Sequence, residues 1–393
     1  MRMKKRYLLG VMVMALGALI PSPAAATGTY TQVASGLDSP RGIAFYNGRM
    51  VVAEAGHGGP NCFTPPGAPP GFQACVGDTS RISWVNTSTG IATPLVTGLF
   101  SISLGPEGTE GVSGISVSEG RILGIMGIAP QLLPPGAAFD LARAQAGHLI
   151  SVKSDGKWRS VASVGEADFN YTKQFTEPTQ GVYSPGTQEN DANPYGVLAT
   201  DDGTYVADAG SNTLDFVNED GEISILHHFE WRDSNPNNFP SDAVPTCVAR
   251  SDDALWVGQL SGRLTRIDDA GVTEVTPKDS AGKPLLTHVT GCTSDQHGNL
   301  YFVNMFGTGI PFGEPSWFNG TVVRYGAEDG KASVLVDHLF TPNMPAIGPD
   351  GNLYVTAGSV CPASGVGGPP PCTGRSGTVL RINLPHGDDN NQD

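Results

Sequence analysis

Ser80-Arg81-Ile82-Ser83-Trp84, Gly147-His148-Leu149-Ile150-Ser151-Val152, Asn212-Thr213-Leu214-Asp215-Phe216-Val217, Gly262-Arg263-Leu264-Thr265-Arg266-Ile267, Gly320-Thr321-Val322-Val323-Arg324-Tyr325 and Gly377-Thr378-Val379-Leu380-Arg381-Ile382 are six versions of one strand. Apolar and polar residues alternate along them, the period of a strand that buries one face. Upstream of each come a Pro/Gly turn, a short apolar strand, an Asp/Gly turn and a Tyr/Val-Val-Ala strand; a Val-rich strand follows downstream. Four short strands repeated six times predict an all-β fold, a six-bladed β-propeller with four-stranded antiparallel blades. The last unit stops at Leu384, one strand short. The missing strand stands at the other end of the chain, where Tyr30-Thr31-Gln32-Val33-Ala34-Ser35 matches Ala92-Thr93-Pro94-Leu95-Val96-Thr97 and Ala332-Ser333-Val334-Leu335-Val336-Asp337. A ring closed by this N-terminal strand leaves no sheet edge open to pair with another chain.

Residues 1–26 read as a secretory signal peptide: Arg2, Lys4, Lys5 and Arg6, an apolar run from Tyr7 to Ile20, then Ala24-Ala25-Ala26 as the cleavage site. The apolar run is too short for a membrane span. Residues 27–385 form the propeller and 386–393 a disordered acidic tail. The chain is expected to be secreted and monomeric. Its formal net charge of -15, more negative once the basic leader is removed, argues against nucleic acid or an anionic membrane as partner, because both demand a basic footprint. A small molecule, a glycan or a protein remains.

Six cysteines in an exported chain predict disulfides. Cys62 and Cys75 flank one Pro/Gly-rich insertion, Cys361 and Cys372 flank another at the same place in a different blade, and Cys247 and Cys292 are assigned to equivalent positions of consecutive blades. These are the three predicted pairs. No Cys-x-x-Cys is present, so neither a redox motif nor a zinc knuckle is indicated.

With the strands of each blade lettered A to D from the axis outward, the A–B and C–D turns are short Asp/Asn-Gly hairpins. The insertions fall in B–C connections (about 57–79, 128–146, 306–319 and 358–375) and in D–A connections (165–190 and 230–241). Both classes emerge on one face of the ring. Long ordered loops on a rigid scaffold carry function, so that face is the expected binding site. Strand B ends there in a polar residue in four blades, Glu54, Asp208, Gln259 and Asn304, against Met126 and Ala357 in the others. A second polar set, Arg41, Glu107, Glu110, Asp191, Asn193, Asp242, His288 and Asn343, stands at the mouths of the A strands. Each of these side chains has two readings, ligand contact or cap on a loop amide. Glu54, His57, Asp191, Asn193, Asp208, Asp242 and Trp317 are the expected ligand-binding residues, with His57 and Trp317 at the rim. The insertion aromatics Phe63, Phe72, Phe139, Trp231, Trp317 and Phe318 either line a groove or pack the loops down. No cofactor is required. Convergent oxygen ligands suit Ca²⁺, but the segment Asp233-Ser234-Asn235-Pro236-Asn237-Asn238 lacks the Gly and the distal Glu of a calcium loop. Nothing names a nucleophile: there is no Gly-x-Ser-x-Gly elbow, His-Glu-x-x-His or phosphate-binding glycine loop.

Gly36-Leu37-Asp38-Ser39-Pro40-Arg41-Gly42-Ile43-Ala44-Phe45, Val52-Ala53-Glu54-Ala55-Gly56-His57-Gly58-Gly59, Asn193-Pro194-Tyr195-Gly196-Val197, Val206-Ala207-Asp208-Ala209-Gly210 and Asp242-Ala243-Val244-Pro245-Thr246 resemble the ScyD/ScyE family of bacterial exported proteins, whose propeller is similar to NHL repeats. The resemblance covers the mature chain and implies fold and export, with no catalytic residue to carry over. The alternative is a propeller hydrolase or lyase, lactonase- or streptogramin-lyase-like, using the same face. Six-bladed lactonases of the gluconolactonase and SMP-30 type hold a divalent ion with acid or Asn side chains just before the strand A glycine. Here those places are read as Arg41, Ser113, Tyr195, Thr246 and Gly291, which removes the ligand set.

Overall fold

The structure, a computed structural model, describes residues 28–66, 68–105, 108–178, 186–232, 242–307, 317–365 and 370–384. The expected signal peptide and acidic tail, Glu107 and the 233–238 segment lie outside them.

The first strand, β1 (Tyr30–Leu37), precedes the first blade, which is built from β2 (Pro40–Tyr46), β3 (Arg49–Glu54), β5 (Ala74–Asn86) and β6 (Ile91–Ser103), with β4 (Asn61–Phe63) and β7 (Thr109–Glu110) beside the last two. The second blade holds β8 (Val112–Ser118), β9 (Arg121–Met126), β10 (His148–Val152) and β11 (Trp158–Ser163), with the short helix α1 (Asp140–Arg143) inside it and α2 (Val164–Thr172) after it. The third has β12 (Pro194–Thr200), β13 (Gly203–Asp208), β14 (Thr213–Val217) and β15 (Ile223–His228), and the fourth β16 (Pro245–Ser251), β17 (Ala254–Gln259), β18 (Leu264–Asp268) and β19 (Gly271–Val275). The fifth comprises β20 (Val289–Ser294), β21 (Asn299–Asn304), β22 (Gly320–Gly326) and β23 (Ala332–Leu339). Only three strands remain at the C-terminus: β24 (Pro345–Ile347), β25 (Leu353–Ala357) and β26 (Gly377–Ile382). The sixth sheet runs β1-β26-β25-β24, with Tyr30 opposite Ile382 and Leu37 opposite Gly377. The ring is a six-bladed propeller closed by its N-terminal strand.

The hairpins follow from local chemistry. Asn47-Gly48 and Glu119-Gly120 both take positive φ at their two central residues, the left-handed geometry whose twist matches that of the flanking strands. Between blades the apolar faces meet in six clusters. The one that closes the ring joins Leu37, Ile43, Met50, Val52, Tyr354 and Val379 of the sixth and first blades. At roughly 25 cal/mol per Å² of buried apolar surface, such interfaces are the main favourable contribution to closure.

Insertions expected as loops form regular structure, α1 in the second-blade insertion among them. Beyond a run of bulges between Gly77 and Ser83, the 74–77 part of β5 continues upward and pairs with β4 and the end of β6, making a second small sheet. Its Phe63 meets Phe139 of the second-blade insertion edge to face, centroids 5.6 Å apart. Ala74, Val76, Phe100, Leu133 and Ala142 share the core beneath. The connection after the second blade opens with α2, whose Val164, Gly165, Asp168 and Thr172 are buried.

All three expected disulfides are present: Cys62–Cys75, Cys247–Cys292 and Cys361–Cys372, and no cysteine is free. The equivalence assigned to the second pair needs correction by one residue. Opposite strand B, Gly291 takes the place of Cys247 and Gly196, and Cys292 follows it. Adjacent positions of a strand point to opposite faces. The offset is therefore what lets Cys247, facing the fifth blade, meet Cys292, facing the fourth. No helix among the described residues is long and apolar enough to cross a membrane.

Candidate functional site

The strand directions carry the ends of the B strands and the starts of the A strands to the loop-bearing face. There the polar residues ending strand B repeat one device. Glu54 accepts the Asp38 backbone N–H at 2.7 Å, Asp208 that of Asn193 at 2.7 Å, and Asn304 that of Thr287 at 2.9 Å, each just ahead of strand A. Each also engages strand C or the turn leading to it. Glu54, fully buried, takes both Nε and Nη2 of Arg81, at 2.8 and 2.6 Å, together with the Ser83 hydroxyl. Asp208 caps the next turn through the Gly210 and Ser211 amides, both at 2.9 Å, Gln259 donates to Thr265 at 3.0 Å and Asn304 to Thr321 at 2.8 Å. A polar side chain here ties the incoming loop to the sheet, which a Leu could not do.

The expected site residues fall into three groups. In the first blade Glu54 and His57 share Asp38: the backbone of Asp38 serves Glu54, and its carboxylate lies 2.7 Å from His57 Nδ1 and accepts the Ala363 amide at 3.0 Å from the sixth-blade loop. In the third, Asn193 Oδ1 accepts the Ile128 amide at 2.9 Å, while Asp191 Oδ1 accepts the Ala192 amide at 2.7 Å. Asp242 hydrogen-bonds Asn212, which in turn bonds Gln188 at 2.7 Å and the Val244 amide at 2.7 Å. Trp317 stands apart, edge-on to Phe306 at 5.8 Å and packed against Val360, Cys361 and Cys372.

Electrostatics separates the carboxylates. Burial, followed by the charge of Asp208, pushes Asp191 up to about 7. Burial pushes Asp242 to about 6, opposed by its Asn212 hydrogen bond. Behind them Asp208 of β13 is one of a fully buried trio whose other members, Asp168 of α2 and Asp215 of β14, sequence reasoning missed. The Thr213 hydroxyl reaches Asp168 at 3.3 Å and Asp215 at 3.1 Å. Burial, with the neighbouring carboxylates, raises Asp168 well above the ordinary range, and burial with Asp208 raises Asp215 to about 8. Like charges this close cannot all ionise, so the trio shares protons at neutral pH. The polar/apolar alternation of β14 groups Asp215 with Thr213, opposite Leu214 and Phe216, and so gave no sign of its burial; nothing in the sequence signalled that α2 would set Asp168 beside it.

At the axis, the residue before the strand A glycine is Arg41, Ser113 and Tyr195 in the first three blades. Strand register corrects the fifth-blade assignment to Thr290, before Gly291, and brings Asn343 into the same place in the sixth. Arg41 Nη1 donates to the Tyr195 hydroxyl at 3.1 Å, Nη2 donates to the Thr109 carbonyl at 2.6 Å and lies 3.5 Å from Glu110, and Asn343 Nδ2 donates to Tyr195 Oη at 2.7 Å. Burial opposes the charge of Arg41, but Tyr195 and Glu110 more than offset this and its pKa is raised. A guanidinium thus stands where a lactonase-type cation would sit. The donor set does not fit a divalent ion there, since it is one cation and neutral groups with a single, already paired acid. Among the described residues, no group of three or more His, Cys, Asp or Glu is arranged to hold a metal. Below this plug the channel opens to the plain face as a cavity of about 280 Å³, lined by Ile43, Ile115, Val197, Val248 and Pro345 among others.

No family model matches the chain, and no curated protein matches it. Solved structures do. A protein of unknown function from Bacteroides thetaiotaomicron aligns over 92% of this chain and 74% of its own at 11% identity and TM-score 0.52. A gluconolactonase from Xanthomonas campestris aligns over 92% of both chains at 11% identity and TM-score 0.50. A streptogramin B lyase covers 92% of this chain and all of its own, at 14% identity and TM-score 0.45. The likeness is one of fold. At these identities it says nothing of which residues act.

Proposed function

We propose that this chain is a secreted propeller of the ScyD/ScyE kind that binds an extracellular small molecule, glycan or protein on its loop face without catalysing a reaction. One observation carries the reading: the polar residues that end the B strands and those at the axis are already tied to loop amides, to strand C or to one another. Glu54 is bonded on both oxygens, Asp208 and Asn304 hold loop amides, and Arg41, Tyr195 and Asn343 close the axis through one another. A general base or nucleophile must reach substrate with a free lone pair. In this reading Glu54, Asn193, Asp208 and Asp242 serve binding indirectly, by fixing the loops, while the half-exposed His57 and the rim aromatic Trp317 face the partner. Support for a rigid platform comes from the stapled upper sheet of the first blade and its packing on the second-blade insertion. The paired cysteines and the Ala-x-Ala leader support export, and the order of motifs along the chain supports the family.

A propeller hydrolase or lyase is the second reading, favoured only by the fold it shares with a gluconolactonase; a shared fold is weak ground for activity, and Arg41 opposes an axial metal. The test is a panel of lactones and esters offered to purified protein with and without Ca²⁺, with an Arg41→Met variant beside it. No turnover is expected. Turnover that a loop-face substitution abolishes would overturn the non-catalytic reading.

A further inference from the structure

Between the fifth and sixth blades, the rim of the loop face opens into a groove of about 380 Å³ lined by residues including Tyr30, Gln32, Phe318, Phe340, Arg375 and Leu380. Its wall is assembled from distant parts of the chain. Phe318 closes the fifth-blade insertion, Phe340 follows β23, Arg375 ends the sixth-blade insertion, and Tyr30 and Gln32 come from β1. The groove is complete only when the terminal strand is in place.

Phe318 and Phe340 stack with centroids 4.8 Å apart and planes at 23°. The Arg375 guanidinium lies over both rings, 5.2 and 5.6 Å from their centroids. Its loop is held by the Cys361–Cys372 bond, by the Arg375 amide donating to the Cys372 carbonyl at 2.8 Å and by the Gly374 amide donating to Gly365 at 3.1 Å. The guanidinium is therefore positioned before any ligand arrives, yet it is exposed and forms no ion pair with a described residue. The charge pattern is equally selective. In a chain of 38 acidic against 23 basic residues, none of the described residues lining this groove is Asp or Glu. Tyr30, 47% exposed, adds apolar surface, and the largely buried Leu380 lies at the floor. The volume suits a small ligand.

We propose that this groove binds a small organic carboxylate, its carboxylate paired with Arg375 and its apolar body laid against Tyr30, Phe340 and Leu380. One planar guanidinium with parallel N–H donors matches one carboxylate bidentately. The aromatic and aliphatic wall takes the remainder of the ligand. The proposal rests on the loop face being the binding face.

Calorimetric titration with 3-phenylpropionate, hexanoate and galacturonate, with neutral 3-phenylpropionamide as control, tests it on the full mature chain. At least one acid should bind, with the amide and the Arg375→Gln variant each weaker by about tenfold or more, the loss of one charge-assisted pair. Phe340→Leu should weaken the phenyl acid more than hexanoate, and both variants should melt like the parent. Tight binding of phenylpropionate or hexanoate identifies a free acid, and preference for galacturonate identifies the uronate of a polymer. Equal binding of amide and acid, unaffected binding by R375Q, or no binding by any acid overturns the groove. Hydrogen exchange on the complex separates this failure from that of the wider reading. Protection at 357–358 and 375–380 supports the groove; protection confined to the upper sheet of the first blade rejects it but keeps the loop face; protection at the plain-face channel mouth rejects both.

Discussion

Stability is expected to decline between about pH 6 and about pH 8, and replacing Asp215 by Asn should flatten that decline. The carboxyl of Asp215 is buried, faces Asp208 and Asp168, and keeps its proton up to about 8, far above the ordinary carboxylate value. A group with a raised folded pKa binds its proton more tightly when folded than when unfolded. The stability it contributes is complete in acid, below its unfolded value, and is lost as pH rises toward the folded one. Over the chosen interval the unfolded carboxyl is ionised throughout while the folded one is only beginning to ionise. At about 1.4 kcal/mol per pH unit, tapering near the folded pKa, the loss is about 2 kcal/mol. For the roughly 325 described residues at about 2.1 cal/mol/K each, unfolding entropy is ~0.7 kcal/mol/K and the melting point falls by ~3 °C. Asp191, at about 7, and Asp242, at about 6, lose stability in the same direction, so the parent should fall by more than this. The lowered pKa values of His148, His227, His228 and His288, all driven first by burial, act oppositely but below the ordinary imidazole value. Asn keeps the hydrogen bond of a neutral carboxyl and removes the titration, so D215N should match the parent near pH 6 and exceed it near pH 8. Thermal unfolding followed by circular dichroism at both values decides. Parallel falls in parent and variant would refute the idea that Asp215 is held neutral.

Deleting residues 28–36 removes β1 and uncovers β26 as an open edge, so size-exclusion chromatography should show aggregation and calorimetry the loss of a cooperative transition. Glu54→Gln breaks a buried charge pair and leaves Arg81 short of its partner, at a cost of about 3 kcal/mol; a denaturant midpoint equal to the parent's would mean the Arg81 contact contributes nothing. Opening Cys247–Cys292, which closes 45 residues, by a double Ala substitution should lower stability by up to ~4 kcal/mol in the chain-entropy view, read from urea unfolding. Tyr195→Phe removes the hydroxyl joining Arg41 to Asn343 and should cost about 1–2 kcal/mol without opening the axis, which the accessibility of the channel to a spin probe from the loop face would check.

Sequence alone determined the repeat, its strand count and the way the ring closes, because a period-two pattern interrupted by Asp/Asn-Gly turns is local chemistry and the orphan strand at Tyr30–Ser35 has one vacant place to fill. It also marked the loop face, since insertion lengths can be counted. Pairing of Cys62 with Cys75 and Cys361 with Cys372 was visible for the same reason, both ends of one insertion being near in the chain. What a side chain does on that face was not visible. Whether Glu54 meets a ligand or a loop depends on Arg81 and Asp38, which come to it only when β3 and β5 pair and the first loop folds back. Tertiary structure alone set Asp168 against Asp215, placed Arg41 from the first blade on Tyr195 from the third and Asn343 from the sixth, and stacked Phe318 on Phe340 beneath Arg375. Each of these joins residues that are far apart in sequence or lie in different blades, and a strand pattern holds no record of the angle at which one blade meets the next.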